Sequence, residues 1–180
     1  LNPVSKTDET VSAYDALLWA VDQLNSYKSL DDSLRVVALA LMVHFIGDTH
    51  CPSHLKYTDH RVERVNSIYY KSIFRKEGKG REMKYHSFWD YVCMDIRYDG
   101  GFMDVSYTVD ICDKKEIAKI QEGSIEDWMR TSATVCKDLY DVEDGAVVNL
   151  VYVADKAERA VHQVRDAGYR LAALMNMIFD

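Results

Sequence analysis

VVALALMVHFIGDTHCPSH, residues 36–54, decides how this chain is read. From Val36 to Ile46 it is apolar nearly all round. A helix with that pattern finds apolar neighbours on every side, so a central helix is expected here. Asp31 and Asp32 stand just before it. Carboxylates suit that place, because the first N–H groups of a helix and the positive end of its dipole face them. Pro52 limits the helix, since its ring clashes with a preceding turn and it has no N–H to donate. On this apolar helix stand His44 and Asp48, four residues apart. Four residues are about 400° around a helix, so both side chains project from nearly one face. A carboxylate buried there without a partner would cost several kcal/mol, and a divalent cation would offset that cost.

The same spacing recurs at His86 and Asp90, on a helix expected from about Met83 to Asp95. Each pair offers an imidazole nitrogen and a carboxylate oxygen, both good zinc donors. One such pair is ordinarily a helix ion pair worth a few tenths of a kcal/mol. Two pairs, joined by His54 just past Pro52 where the chain can turn back, point to a metal centre instead. The other polar candidates read more plainly. His50 lies about 240° round the helix from His44 and should face away, as a solvated group or a partner of the ligands. His60 and His162 read as solvated side chains; Cys51 is a candidate soft ligand, but beside nitrogen and oxygen donors it reads rather as a packed or exposed thiol. Trp19, Trp89 and Trp128 read as core.

Outward from this centre the chain is mostly helical in pattern. Val11, Tyr14, Leu18 and Val21, widened by Leu17 and Leu24, mark a first helix between start signals at Thr7-Asp8 and a stop at Asn25-Ser26. Ile125, Trp128, Ser132, Val135 and Leu139 mark another. The longest runs from about Val147 to Ile178, with Leu150, Val153, Ala157, Val161, Val164, Gly168, Leu171, Met175 and Ile178 along one face. Residues 55–81 are polar and basic, with a strand-like piece from Ile68 to Phe74 and glycines at 78 and 80. They form a long loop or a small hairpin. Residues 98–121 read as irregular. The expectation is an all-α, multi-helix bundle in a single domain spanning 1–180, with one excursion around 55–81.

Composition narrows the function. With 180 residues, 48% of them apolar, the chain can bury one sizeable core and is not a disordered tract. A net charge of −7 argues against general nucleic-acid binding through a basic surface, though not against a site made positive by bound metal. No apolar run approaches the roughly eighteen residues that read as a membrane span. Cys51, Cys93, Cys112 and Cys136 leave a disulfide and free thiols equally open. The chain begins at Leu1, without Met, and reads as processed, trimmed or cut.

HFIGDTHCPSH (His44 to His54) resembles the HFxGDxHQPLH signature of the zinc-dependent single-strand-specific nucleases, in the superfamily that includes zinc-dependent phospholipase C. YHSFWD (Tyr85 to Asp90) resembles the family's NLHxxWD, and AGYRLAALMN (Ala167 to Asn176) its AGxRLAxxLN. Trp128 and Ser132 resemble its W-x-x-E-S helix, with Thr131 in place of Glu. The matches run in order over about residues 30–180.

The resemblance implies a secreted or periplasmic, mainly helical hydrolase of the phospholipase C/nuclease type. It implies an endonuclease or other phosphodiesterase that holds up to three zinc ions in a cleft. Residue by residue, His54, His86 and Asp90 would form one three-ligand zinc site with open positions. His44 would bind a second zinc, and Asp48 would bridge that zinc to a third. Asp48, His54, His86 and Asp90 are accordingly the catalytic candidates. Zinc there would polarise a phosphoryl oxygen and activate water. The expected partner is single-stranded nucleic acid, or another phosphodiester such as a phospholipid headgroup.

The sequence also departs from the family. An N-terminal Trp with a nearby His, and an upstream Asp and His, complete the family's zinc set; no His precedes His44 here. The chain is therefore expected to be N-terminally incomplete relative to the family, or a relative that keeps fewer metals. The D-x-G-G-N loop that follows His54 in the family is replaced by KYTDHRVERVNSIYYKSIF, with Asp59 and Asn66 as its candidate remnants. A non-catalytic helical domain with structural zinc is the alternative reading. A metal-free domain whose His–Asp pairs are ion pairs is the plainest.

Overall fold

The computed structural model describes residues 12–55, 65–71, 80–92, 109–136 and 142–180. The fold is helical with a small sheet. Helix α1, Ala13–Asn25, is capped by Ser12, whose hydroxyl accepts the Asp15 N–H at 3.1 Å. The start therefore falls at Ser12, while Thr7, Asp8 and Val11 lie outside the described residues. Its buried residues are Leu17, Ala20 and Leu24. Leu18 and Trp19 are exposed, so Trp19 is not core.

Helix α2, Asp32–Asp48, is capped by the Asp31 carboxylate on Leu34 N–H at 3.0 Å. It is not the central helix its composition suggests. Ala38, Met42 and Ile46 are buried, whereas Val36, at 66% exposure, Val37 and Val43 are open. The reason is that α1 and the last helix meet it along the single i, i+4 stripe Ala38, Met42, Ile46.

The described residues of the excursion form half of an antiparallel strand pair. Strand β1, Ser67–Tyr70, pairs antiparallel with β2, Arg81–Lys84, with Ile68 opposite Met83. The sheet order is β2-β1-β3, where β3, Val147–Val148, runs parallel to β1. Gly80 closes the described part with φ +95, and a Cβ there would collide with the Tyr70 carbonyl oxygen. The expected helix from Met83 therefore starts later. Met83 is a buried strand residue, and the Tyr85 N–H extends the ladder to Asn66 O at 2.9 Å. Helix α3, Tyr85–Ser87, then widens into a π-helical segment, Phe88–Val92.

Helix α4, Lys114–Gln121, lies in the stretch expected to be irregular. Its signal is a capping box: Asp113 accepts Glu116 N–H at 2.9 Å and Glu116 accepts Asp113 N–H at 2.8 Å. Helix α5, Ile125–Cys136, buries Trp128 and Ser132 as its pattern predicts. Helix α6, Leu150–Phe179, starts at an Asn149 cap. Thirty residues make it about 45 Å long.

The buried face of α6 is turned from the expected one. Val153, Ala157, Val161 and Ile178 are buried as expected, but Leu150 and Val164 are exposed. Ala160, Gln163, Ala167, Arg170 and Leu174 take the inner positions. Small residues let the helix come close, and Gln163 and Arg170 bond inward, so the polar residues outrank the apolar ones at mid-length.

Two cores result. One gathers Ile68, Met83, Tyr85, Phe88, Trp89, Val148, Val153, Ala157 and Ala160. The other gathers Leu17, Ala20, Leu24, Ala38, Met42, Ile46, Trp128, Leu174 and Ile178. Helix α6 runs through both. No helix among the described residues is long and apolar enough to cross a membrane.

Candidate metal centre

The five expected residues meet between the two cores. Helix α2 ends at Asp48, and the chain reverses: the N–H groups of His50 and Cys51 return to Gly47 O at 2.9 and 3.1 Å. Pro52 opens a single 3₁₀ turn, Pro52–His54, where a missing N–H costs nothing. That turn swings His54 back over the end of α2.

His44 Nε2 lies 3.2 Å from Asp48 Oδ2, and the same oxygen lies 3.4 Å from His54 Nδ1. On its other side His54 Nε2 is 3.1 Å from Asp90 Oδ1. His86 Nε2 is 3.3 Å from Asp90 Oδ2. Imidazole and carboxylate thus alternate without a break from His44 through Asp48, His54 and Asp90 to His86. The rings of His54 and His86 are 4.7 Å apart, centre to centre. The ends of the series are open, with the His44 and His86 side chains 64% and 57% exposed, and the middle is sheltered, with Asp48 at 22%.

Cys51, expected rather as a packed or exposed thiol than as a ligand, joins this group. Its Sγ is 3.4 Å from Asp90 Oδ1 and 3.1 Å from Ser53 Oγ. Donor atoms of Cys51, His54 and Asp90 all fall within 4.8 Å of one another. Burial pushes the Cys51 thiol up to about 11, partly opposed by bonds to Ser53. The signal in the sequence was the Cys51-Pro52-Ser53-His54 spacing, since residues three apart eclipse in a 3₁₀ turn.

His50 faces away from the series, as its angle predicts, but it is buried rather than solvated. Its Nδ1 lies 2.7 Å from Ile46 O, which can only accept, so Nδ1 carries the hydrogen. Nε2 then accepts from Arg170 Nη1 at 2.7 Å. Burial is the main cause that holds this imidazole down, at a pKa of about 4. Gln163 Nε2 donates to His50 O at 2.9 Å. Arg170 also donates to Ile120 O at 2.9 Å and lies over the Trp128 ring. One arginine therefore ties the turn after α2 to α4, α5 and α6.

A cavity of about 450 Å³ opens beside the series. His44, Asp48, His54 and Asp90 line its polar side, and Trp89, Ala160, Val164 and Ala167 its apolar side. Trp89 is buried, and its indole N–H has no partner among the described residues. Asn66, a candidate loop remnant, is instead held by Asp144, which accepts its backbone and side-chain N–H groups at 2.9 and 3.2 Å. His162 is exposed as expected, and Cys51 and Cys112 are free thiols. His60, Asp59 and Cys93, and the side chain of Cys136, lie outside the described residues.

Comparison with curated proteins gives no match. The profile of the family described as S1/P1 Nuclease matches residues 2–180, a span that takes in both His–Asp pairs, the turn between them and the arginine behind it. With nearly the whole chain matched, it belongs to the S1/P1 nuclease family, zinc-dependent enzymes that hydrolyse phosphodiester bonds.

Proposed function

We propose that this chain is a zinc-dependent phosphodiesterase whose substrate is single-stranded nucleic acid. The observation that supports this most is the unbroken series His44–Asp48–His54–Asp90–His86 along one side of a cavity. The donor set fits zinc: imidazole nitrogens and carboxylate oxygens on short, opposed elements. His54, His86 and Asp90 would hold one ion, and His44 and Asp48 would contribute to another. When bound, zinc supplies Lewis acidity, polarising a phosphoryl oxygen and acidifying water.

The protein's own residues set the geometry. Asp48, 3.4 Å from His54 Nδ1, and Asp90, 3.1 Å from Nε2, flank the His54 ring and set its orientation. Ser53 Oγ, 3.3 Å from Asp90 Oδ1, holds that carboxylate in place. Trp89, Ala160 and Ala167 form an apolar wall that keeps water from one side of the cavity. The volume lies within the usual range of about 300–1,000 Å³ for ligand pockets. A recessed pocket accepts a nucleotide of a flexible strand more readily than one in a stiff duplex. Bound cations would locally outweigh the chain's −7 and draw in a polyanion. We read residues 1–180 as one helical phosphoesterase-like domain, working outside the cell or in the periplasm.

Zinc analysis and oligonucleotide cleavage test the reading. Protein never exposed to chelator should carry zinc and cut a single strand faster than its duplex, and His86→Ala should abolish cutting. Cleavage that survives in His86→Ala would overturn the site. Equal cutting of both substrates would remove the strand preference alone.

A further inference from the structure

Cys51 stands in the turn between the end of α2 and Pro52, with its thiol among the candidate metal ligands. Its position is set by local geometry. Cys51 caps the 3₁₀ turn that Pro52 opens, and the His54 N–H bonds to Cys51 O at 3.1 Å. Residues three apart in such a turn lie on one side, so Cys51 and His54 form a short Cys-x-x-His chelate facing α3. Across from them stands Asp90, with Oδ1 3.4 Å from Sγ and 3.1 Å from His54 Nε2. Donors around a tetrahedral zinc, at metal distances of about 2.0–2.3 Å, are themselves separated by about 3.3–3.8 Å. The thiol already has that spacing from Asp90. His86 approaches from the far side, 3.3 Å from Asp90 Oδ2, and stands outside the group of Cys51, His54 and Asp90 whose donors lie within 4.8 Å of one another.

We propose that Cys51 is a fourth protein ligand of the metal held by His54, His86 and Asp90. The inference rests on the reading of that cluster as a metal centre. On coordination the S–H bond breaks, its proton passes to solvent, and a sulfur lone pair forms the bond to the metal. Four protein donors close the first coordination sphere in the resting protein. A soft donor among nitrogen and oxygen ligands also selects zinc, cadmium and cobalt over magnesium and manganese.

Cobalt substitution in the full chain reads the bond directly. Co²⁺-loaded protein should show visible ligand-field bands and a near-ultraviolet sulfur-to-cobalt charge-transfer band. Cys51→Ser should lose the charge-transfer band, keep the visible bands, and bind Cd²⁺ at least ~10-fold more weakly. Visible bands without a charge-transfer band in the unmodified chain, or a band that survives Cys51→Ser, would overturn the proposal and leave the metal centre standing. No cobalt or zinc bound at all would remove the metal centre, and the proposal with it. Iodoacetamide labelling of the unmodified chain, read peptide by peptide, guards against a variant that fails to fold. Zinc should shield Cys51 and leave Cys112 reactive, and equal labelling of Cys51 with and without zinc counts against the ligand.

Discussion

The two His–Asp pairs share a spacing and little else. His44 and Asp48 end a regular α-helix whose inner stripe packs in the core of α1, α5 and the far end of α6. His86 and Asp90 stand where strand β2 passes into a π-helical segment, over the core of Ile68, Phe88, Trp89 and the near end of α6. Both pairs nonetheless close to nearly the same distance, 3.2 and 3.3 Å. Spacing selects the partners, and the core beneath each pair aims it. His54 belongs to neither helix and touches both carboxylates, so the turn between the pairs makes them one site.

The strongest way to break that comparison is to remove the joint. His54→Ala should abolish phosphodiester cleavage and lower bound zinc at both pairs, whereas His44→Ala should spare the zinc near His86. Metal analysis alongside cleavage assays checks this, and equal zinc in His54→Ala and the parent would mean two independent pairs. Next comes the support under each pair. Phe88→Ala should cost about 3–5 kcal/mol and Met42→Ala about 2–5 kcal/mol, both being fully buried. In urea titrations followed by zinc affinity, the first should loosen the His86 side and the second the His44 side.

The anchor behind the turn has a pH signature. Between about 4, its native value, and 6.5, His50 takes up a proton only when the chain unfolds. Stability therefore falls as pH drops through that window, by up to about 3 kcal/mol. Arg170 and Asp166 are the charges acting on it. His50→Gln should flatten the slope in urea denaturation between those values. The smallest effect sharpens the role of α6, which serves both cores. Asn149 accepts the N–H groups of Val151 and Tyr152 at 3.0 and 3.1 Å. Asn149→Ala should cost about 1 kcal/mol in the same measurement without altering zinc stoichiometry.

Much of this arrangement is legible from local pattern, and the failures are local rules that lost to packing. The α2 boundaries and the Trp128–Ser132 face follow from periodicity and caps alone. The capping box of Asp113 and Glu116 was legible too, but its helix is short, with only Ile117 and Ile120 as an apolar face and no fully buried residue. Met83 carries a helix-compatible pattern, yet pairing with Ile68 makes it a strand. On α6 the apolar stripe misplaced the inner face, because Gln163 and Arg170 find partners only in the folded chain.

The sequence by itself determined the pairs: four residues bring His and Asp to nearly one face, on the α-helical turn of His44 and Asp48 and on the wider turn of His86 and Asp90 alike. Only the tertiary structure decided that His54 would meet Asp90, 36 residues away, that Cys51 would stand beside it, and that Arg170 would lock His50 from 120 residues away. Those distances depend on which way a turn swings and how closely two cores approach. No periodicity encodes them, because they are set by the packing of side chains far apart in the chain.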